Sequence, residues 1–196
     1  MKNMTKIKSL GVFCGSASGS NPAYIESART LGTLLGENGI RLVYGAGHVG
    51  MMGAVAEATL KAGGQVTGII NELLQSREEQ KLELSELQIL PSLHIRKNAL
   101  FDSSDAFCIL PGGIGTLDEV FEIVTLKQLG EHVKPIVMCN VNGFWEPYRR
   151  IIDSLIHEGF VKPSDAGLVT YVDRAEDVLP AVEAEIERAA GIRKAV

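Results

Sequence analysis

Three glycines and a carboxylate stand close together in Pro111-Gly112-Gly113-Ile114-Gly115-Thr116-Leu117-Asp118-Glu119. The apolar run before it ends at Leu110, so the segment reads as a corner from a strand into a helix opening on Thr-x-x-Glu. Glycine lets backbone N–H groups approach a ligand, and a helix N-terminus adds unpaired donors and partial positive charge. Such a corner suits a phosphate, and Glu119 just inside it points to chemistry on a phosphorylated substrate rather than storage of an anion. A second reading stands beside the first. Thr116 and Glu119 have the spacing of a capping box, in which Glu119 returns to the cap's backbone N–H and needs no substrate. Asp118 then complements the helix dipole at the surface or supports the site from behind.

The cations that could serve such a site lie in Ser92-Leu93-His94-Ile95-Arg96-Lys97-Asn98. Ser92 is predicted to be an N-cap, which puts Arg96 and Lys97 in early turns of a helix, where the dipole disfavours positive charge. An anionic ligand or a nearby carboxylate would account for them. Arg96 is the functional candidate because its planar fork matches phosphate or carboxylate. Lys97 is readable as a ligand contact or as an ordinary solvated side chain, and His94 as a structural histidine.

A third segment, Gly45-Ala46-Gly47-His48-Val49-Gly50, satisfies the G-x-G-x-x-G pattern of dinucleotide-binding proteins, with Glu72 as a conceivable ribose-binding acid. Ligand contact by Gly45 and Gly47 competes here with simple strand–helix packing, Met51 and Met52 being core. A small NAD(P)-dependent oxidoreductase would use this loop, although the chain has little room for a separate substrate region.

These segments must be held by a scaffold, and the apolar pattern supplies one. Leu10–Cys14, Ile40–Tyr44, Gln65–Ile70, Leu87–Leu90, Ala106–Leu110, Ile136–Cys139 and Val169–Val172 read as strands. Asn21–Glu37, Gly50–Ala62, Ser92–Phe101, Thr116–Leu129, Trp145–His157 and Arg174–Ala190 read as helices. The alternation predicts an α/β fold, a doubly wound parallel sheet covered on both faces. Ligands of such sheets bind outside the carboxyl ends of the strands, where Gly15–Gly19, Gly45–Gly53, Ser92–Asn98 and Pro111–Glu119 all fall. Asn21-Pro22 and Asn38-Gly39 bracket the first helix, and Asp173 with Glu176 is expected to open the last one, facing solvent through Glu183, Glu185, Glu187 and Arg188. Polar Asn71–Ser85 is expected to be a surface helix or loop.

At 196 residues and 45% hydrophobic, the chain is long enough for one substantial core, read as a single domain over residues 1–196. A net charge of −5 without a basic stripe argues against nucleic acid and for a small ligand. Cys14, Cys108 and Cys139 lie in apolar runs and read as buried strand residues, and no histidine spacing implies a metal. No segment resembles a signal peptide or a membrane span, and the cytoplasm is the expected location.

Together, Pro111–Glu119 and His94-Ile95-Arg96-Lys97 resemble the paired signatures of the LOG (LONELY GUY) family, PGGxGTxxE downstream of MHxRK. Gly11–Ser16, Gly45–Gly53, Gln128-Leu129-Gly130 and Lys134-Pro135 also have counterparts there. The resemblance implies a Rossmann-like fold, a homodimer, no cofactor, and hydrolysis of the N-glycosidic bond of adenine-type nucleoside 5′-monophosphates, cytokinin riboside 5′-monophosphate or AMP. Carried over by residue, it makes Arg96 and Glu119 the catalytic pair, Gly112, Gly113, Gly115 and Thr116 the phosphate loop, and Lys97 a ligand contact. Leu93, Gly45, Gly47 and Ser16 complete the expected substrate-binding set. Leu93 stands where the family has Met, Ala46 interrupts a triple glycine, Ile114 replaces Tyr and Leu126 replaces Trp. The reacting groups survive these departures, but a preference for a prenylated base does not follow. A non-catalytic nucleotide carrier or sensor is the alternative. A pyridoxal-phosphate decarboxylase, a label attached to the family, finds no lysine in a recognisable cofactor context.

Overall fold

The computed structural model describes residues 7–76 and 82–194. Strands β1 (Ser9–Phe13), β2 (Arg41–Tyr44), β3 (Val66–Asn71), β4 (Glu86–Leu90), β5 (Ala106–Ile109), β6 (Ile136–Cys139) and β7 (Thr170–Val172) form a 7-stranded sheet in the order β4-β3-β2-β1-β5-β6-β7. Every pairing is parallel; Leu10 of β1, for example, stands opposite Leu42 of β2 on one side and Ala106 of β5 on the other. The helices are α1 (Pro22–Glu37), α2 (Gly50–Lys61), the short α3 (Glu72–Gln75), α4 (Leu93–Asp102), α5 (Ile114–Gln128), α6 (Glu146–His157) and α7 (Val178–Lys194). This is the two-sided parallel α/β sheet that the sequence pattern predicts, and it is Rossmann-like as the family resemblance implies.

Both faces of the sheet are covered. Leu10, Val12, Tyr44 and Cys108 pack with Leu31 and Leu35 of α1, Val55 of α2 and Val182 of α7. Phe13, Val43, Ile69 and Ile109 pack on the other face with Leu100 of α4, Ile123 of α5 and Tyr148 of α6. Strands β1, β3, β5 and β6 are buried along their whole lengths, as two-sided cover requires. Cys14, Cys108 and Cys139 are all buried.

The Asn21 side chain accepts from Ala23 N at 3.0 Å at the start of α1, and Gly39 ends that segment at φ +64°. Helix α1 meets α2 at backbone distance: a Cβ on Gly32 would lie 2.4 Å from Val55 O. The last helix departs from expectation. A 3-10 turn at Ala175–Asp177 precedes α7, and no side chain caps it, so Asp173 is not its N-cap. Glu185 does not face solvent; its side chain is 11% exposed and its carboxylate lies 3.2 Å from Lys127 Nζ. In the polar Asn71–Ser85 stretch, Glu72–Gln75 forms α3, whereas Arg77-Glu78-Glu79-Gln80-Lys81 falls outside the described residues.

Candidate active site

Strand β1 sits between β2 and β5, so the strand order reverses beside it. At such a switch point the loops leaving two neighbouring strands diverge and open a crevice. Here the loop after β1 and the loop after β5 are tied by Gly15 N donating to Pro111 O at 3.0 Å. Beside that tie is a cleft of about 360 Å³. Ser16, Gly45, Leu93, Arg96, Lys97, Gly113, Gly115, Thr116 and Glu119, all expected from the sequence, share its wall. Gly112 and Gly47 do not. Gly112 lies beneath the loop, where a Cβ would meet Thr116 Oγ1 at 2.2 Å, and faces an adjoining hollow of about 280 Å³. A Cβ on Gly47 would meet Met52 Cε at 2.4 Å, so this glycine lies against the methionine side chain.

The helix behind the glycine corner begins earlier than the sequence suggests. Gly113 is the N-cap of α5, no side chain caps it, and Leu117 N donates to Gly113 O at 3.0 Å. Thr116 is therefore the third helical residue, and Glu119 lies in the second turn. The capping-box reading is thereby corrected: the Glu119 carboxylate meets Arg96 instead of returning to a cap. The first three N–H groups of α5 have no helical acceptor, and a Cβ at Gly113 or Gly115 would meet nothing within 4 Å. Packing does not require these two glycines, and their missing side chains leave the donors open to a ligand.

Helix α4 delivers the cations. Ser92 Oγ accepts from Ile95 N at 3.3 Å, the predicted cap. Arg96 is only 7% exposed, so it is not a solvated cation. Its Nε donates to Ile69 O at 3.0 Å and its Nη1 to Glu119 Oε1 at 3.1 Å. Gly45 makes room for the guanidinium, since a Cβ there would lie 2.3 Å from Nη2. Burial pushes the Glu119 carboxyl above its ordinary pKa, with Arg96 pulling the other way. A buried carboxylate held by one fixed arginine, with its affinity for a proton raised, is equipped to orient or deprotonate water.

Lys97 lies at the cleft wall with its ammonium already engaged. Nζ donates to Asp118 Oδ1 and Oδ2 at 3.2 and 3.1 Å and lies 2.8 Å from Glu122 Oε2. Burial opposes its charge, but these carboxylates outweigh it and raise its pKa. Lys97 thus lines the cleft where the ligand contact is expected, with its ammonium directed to these carboxylates. Sequence reasoning missed Glu122; the signal was available in Asp118 and Glu122, spaced i, i+4 on one face of a predicted helix.

The Gly45–Gly50 loop loses its dinucleotide reading. Met51 N donates to Ala17 O at 3.4 Å and Met52 N to Gly15 O at 3.3 Å, so the first donors of α2 serve the neighbouring loop. Glu72, the suggested ribose acid, opens α3 and does not line the cleft. Cys14 does line it, but burial, and then the charge of Glu119, raise its thiol pKa and keep it neutral. His94 is exposed. Among the described residues, no group of three or more His, Cys, Asp or Glu is placed to hold a metal, and no helix is long and apolar enough to cross a membrane.

A Rossmann-like sheet with an open glycine corner and a buried Arg–Glu pair at its switch point defines a nucleotide-site enzyme class. Residues 52–182 match the family described as "Possible lysine decarboxylase". The chain is 36% identical over 188 residues to cytokinin riboside 5′-monophosphate phosphoribohydrolase LOG1 of Arabidopsis thaliana, covering 96% of this chain and 88% of that one. It is 40% identical over 179 residues to the probable phosphoribohydrolase LOGL5 of Oryza sativa subsp. japonica, covering 91% and 73%. The chain belongs to this LOG family. Among solved structures, the molybdenum cofactor carrier protein of Chlamydomonas reinhardtii superposes with a TM-score of 0.72 at 21% identity, covering 93% of this chain and 99% of that one. That likeness concerns the fold.

Proposed function

We propose that this protein hydrolyses the N-glycosidic bond of adenine-type nucleoside 5′-monophosphates, releasing the free base and ribose 5-phosphate. The observation that carries the reading is the buried Arg96–Glu119 pair, 3.1 Å apart, beside the uncapped glycine start of α5. The 5′-phosphate is placed on the backbone donors of Gly113–Thr116 with Ser16 across the cleft, because these are the open donors of the crevice. The ribose then lies over Glu119. As the bond from C1′ to the base nitrogen lengthens, its electron pair leaves with the base and C1′ gains positive charge, which a carboxylate stabilises. Water adds to C1′ and gives its proton to Glu119, the departed base nitrogen takes up one proton from solvent and Glu119 returns its own to solvent, while Arg96 fixes the carboxylate and the sugar phosphate. Leu74, Leu93 and Met52 give the cleft an apolar side suited to a planar base.

The name of the matched family raises the question of pyridoxal phosphate, and the lysine of this cleft does not fit that cofactor. A Schiff base needs a neutral amine, whereas Lys97 is held charged by two carboxylates. The homodimer and cytoplasmic location expected from the sequence belong to the same reading. Leu87 and Ile89 of edge strand β4 and Leu93 and Ile95 of α4 are exposed apolar residues suited to a second copy.

The test is to incubate the protein with AMP and with prenylated AMP and measure free base by chromatography. Release of adenine or the prenylated base is expected, with the ratio giving the base preference. Tight nucleotide binding without release of either base would make the protein a carrier.

A further inference from the structure

Arg96 and Lys97 are neighbours on α4, and both reach α5, but to different rows of it. Arg96 meets Glu119 inside the cleft, and Lys97 meets Asp118 and Glu122 on the flank. The Lys97 side chain is 14% exposed although it carries a full charge, and among the described residues its ammonium spans two carboxylates one helical turn apart. Counted as ionised, Lys97 with Asp118 and Glu122 leaves one net negative charge, so this flank has no spare cation for a phosphate dianion.

We infer that Lys97 is a positioning residue: clamped between Asp118 and Glu122, it sets how α4 lies against α5 and so holds Arg96 on Glu119. The inference rests on the hydrolase reading for its kinetic consequence but not for its geometry. A guanidinium needs only a small shift to lose its carboxylate, and displacements of about 1 Å near reacting groups cost about 100-fold in rate. An ammonium that instead served the phosphate would have to give up at least one of its three contacts to these carboxylates. The charged and titratable groups facing Glu119 are Arg96 and Lys97 from α4, Asp118 and Glu122 from α5, and Cys14 at the end of β1. Loss of Lys97 removes a charge that lowers the Glu119 pKa, and loss of Asp118 removes one that raises it.

Those opposite electrostatic signs make the test decisive. Lys97→Met and the double variant Asp118→Asn/Glu122→Gln are compared with the wild type for kcat and KM on AMP. AMP dissociation constants and the titration midpoint of Glu119, read by isotope-edited infrared spectroscopy without substrate, are measured alongside. Both variants should lose about 10- to 100-fold in kcat, with KM and Kd changed by less than about threefold. The Glu119 midpoint should rise in the first and fall in the second, so the shared loss of kcat cannot be electrostatic. The triple variant should be no worse than either, and Lys97→Arg, whose fork still spans two carboxylates, should retain most activity and guards against a folding defect. A tenfold or greater rise in Kd for AMP in Lys97→Met, with tighter binding in the double variant, would overturn the inference in favour of direct phosphate contact. If the wild type releases no base, the hydrolase reading fails on its own, while the Kd values still decide the role of Lys97.

Discussion

The chain carries two glycine corners at the carboxyl ends of parallel strands, one leading into α2 and one into α5, and only one of them is open. Before α2, the N–H groups of Met51 and Met52 are taken by Ala17 and Gly15. Each glycine of that corner is filled against: Gly45 by Arg96, Gly47 by Met52 and Gly50 by Ser16. Before α5, Gly113 and Gly115 face empty space and no side chain caps the helix. Glycine spacing alone does not distinguish a phosphate cradle from a packing corner. What distinguishes them is where the donors go and what occupies the space of the missing Cβ. The α2 corner nevertheless serves the proposed site, because the absence of a side chain at Gly45 is what seats the arginine.

The largest effect should come from the carboxylate that only the α5 corner carries. Glu119→Gln should keep the fold and most nucleotide binding while losing about 10²- to 10⁴-fold in kcat, measured as adenine release from AMP. Undiminished turnover would reduce Glu119 to a structural partner of Arg96. Substitutions at the two corners should then separate cleanly. Gly50→Ala puts a Cβ at φ +60° and 2.2 Å from Ser16 O, and should cost about 2–4 kcal/mol in thermal or denaturant unfolding. Gly113→Ala meets nothing and should leave the melting temperature nearly unchanged while raising KM for AMP about tenfold, because its methyl occupies ligand space. A stability loss at Gly113 with unchanged KM would erase the distinction between the corners.

The pH dependence is the smallest and most specific sign. Burial raises the folded pKa of Glu119, so the folded state binds this proton more tightly than the unfolded chain does. Above the ordinary glutamate pKa, stability therefore falls as pH rises through the raised value, and the group costs stability once ionised. The acid limb of kcat/KM should lie above the ordinary carboxylate range, while the Glu119→Gln protein should lack the matching decline in unfolding free energy.

Most of the scaffold was legible because two-sided burial writes itself as short apolar runs, and β6 has the predicted bounds of Ile136–Cys139. The start of α5 was misread for a local reason. Thr116 has the chemistry of a cap, but its side chain lies against Gly112, and a residue with no side chain occupies the cap position. Glu185 was misassigned to the surface because its partner, Lys127, is 58 residues away and leaves no periodic trace. In the site, Arg96 and Glu119 were visible as residue types at odds with, or in excess of, their helix positions. The seating of Arg96 by Gly45 and the capture of Lys97 by two carboxylates were not, since both depend on how α4 lies across the ends of β2 and β3 and against α5.

The tie between the two halves of the sheet bears on how the molecule is made. Helices α1 and α2 pack at backbone distance and are close in sequence, so β1 to β4 can assemble by short closures. Joining β1 to β5 instead brings Ser9 and Asp105 together across 96 residues and must overcome a larger closure entropy. The cleft lies along this seam. A chain arrested before it closes would hold a compact half with the filled glycine corner in place, yet would have no floor for a phosphate and no carboxylate for Arg96. Competence at the proposed nucleotide site would thus report closure of this seam.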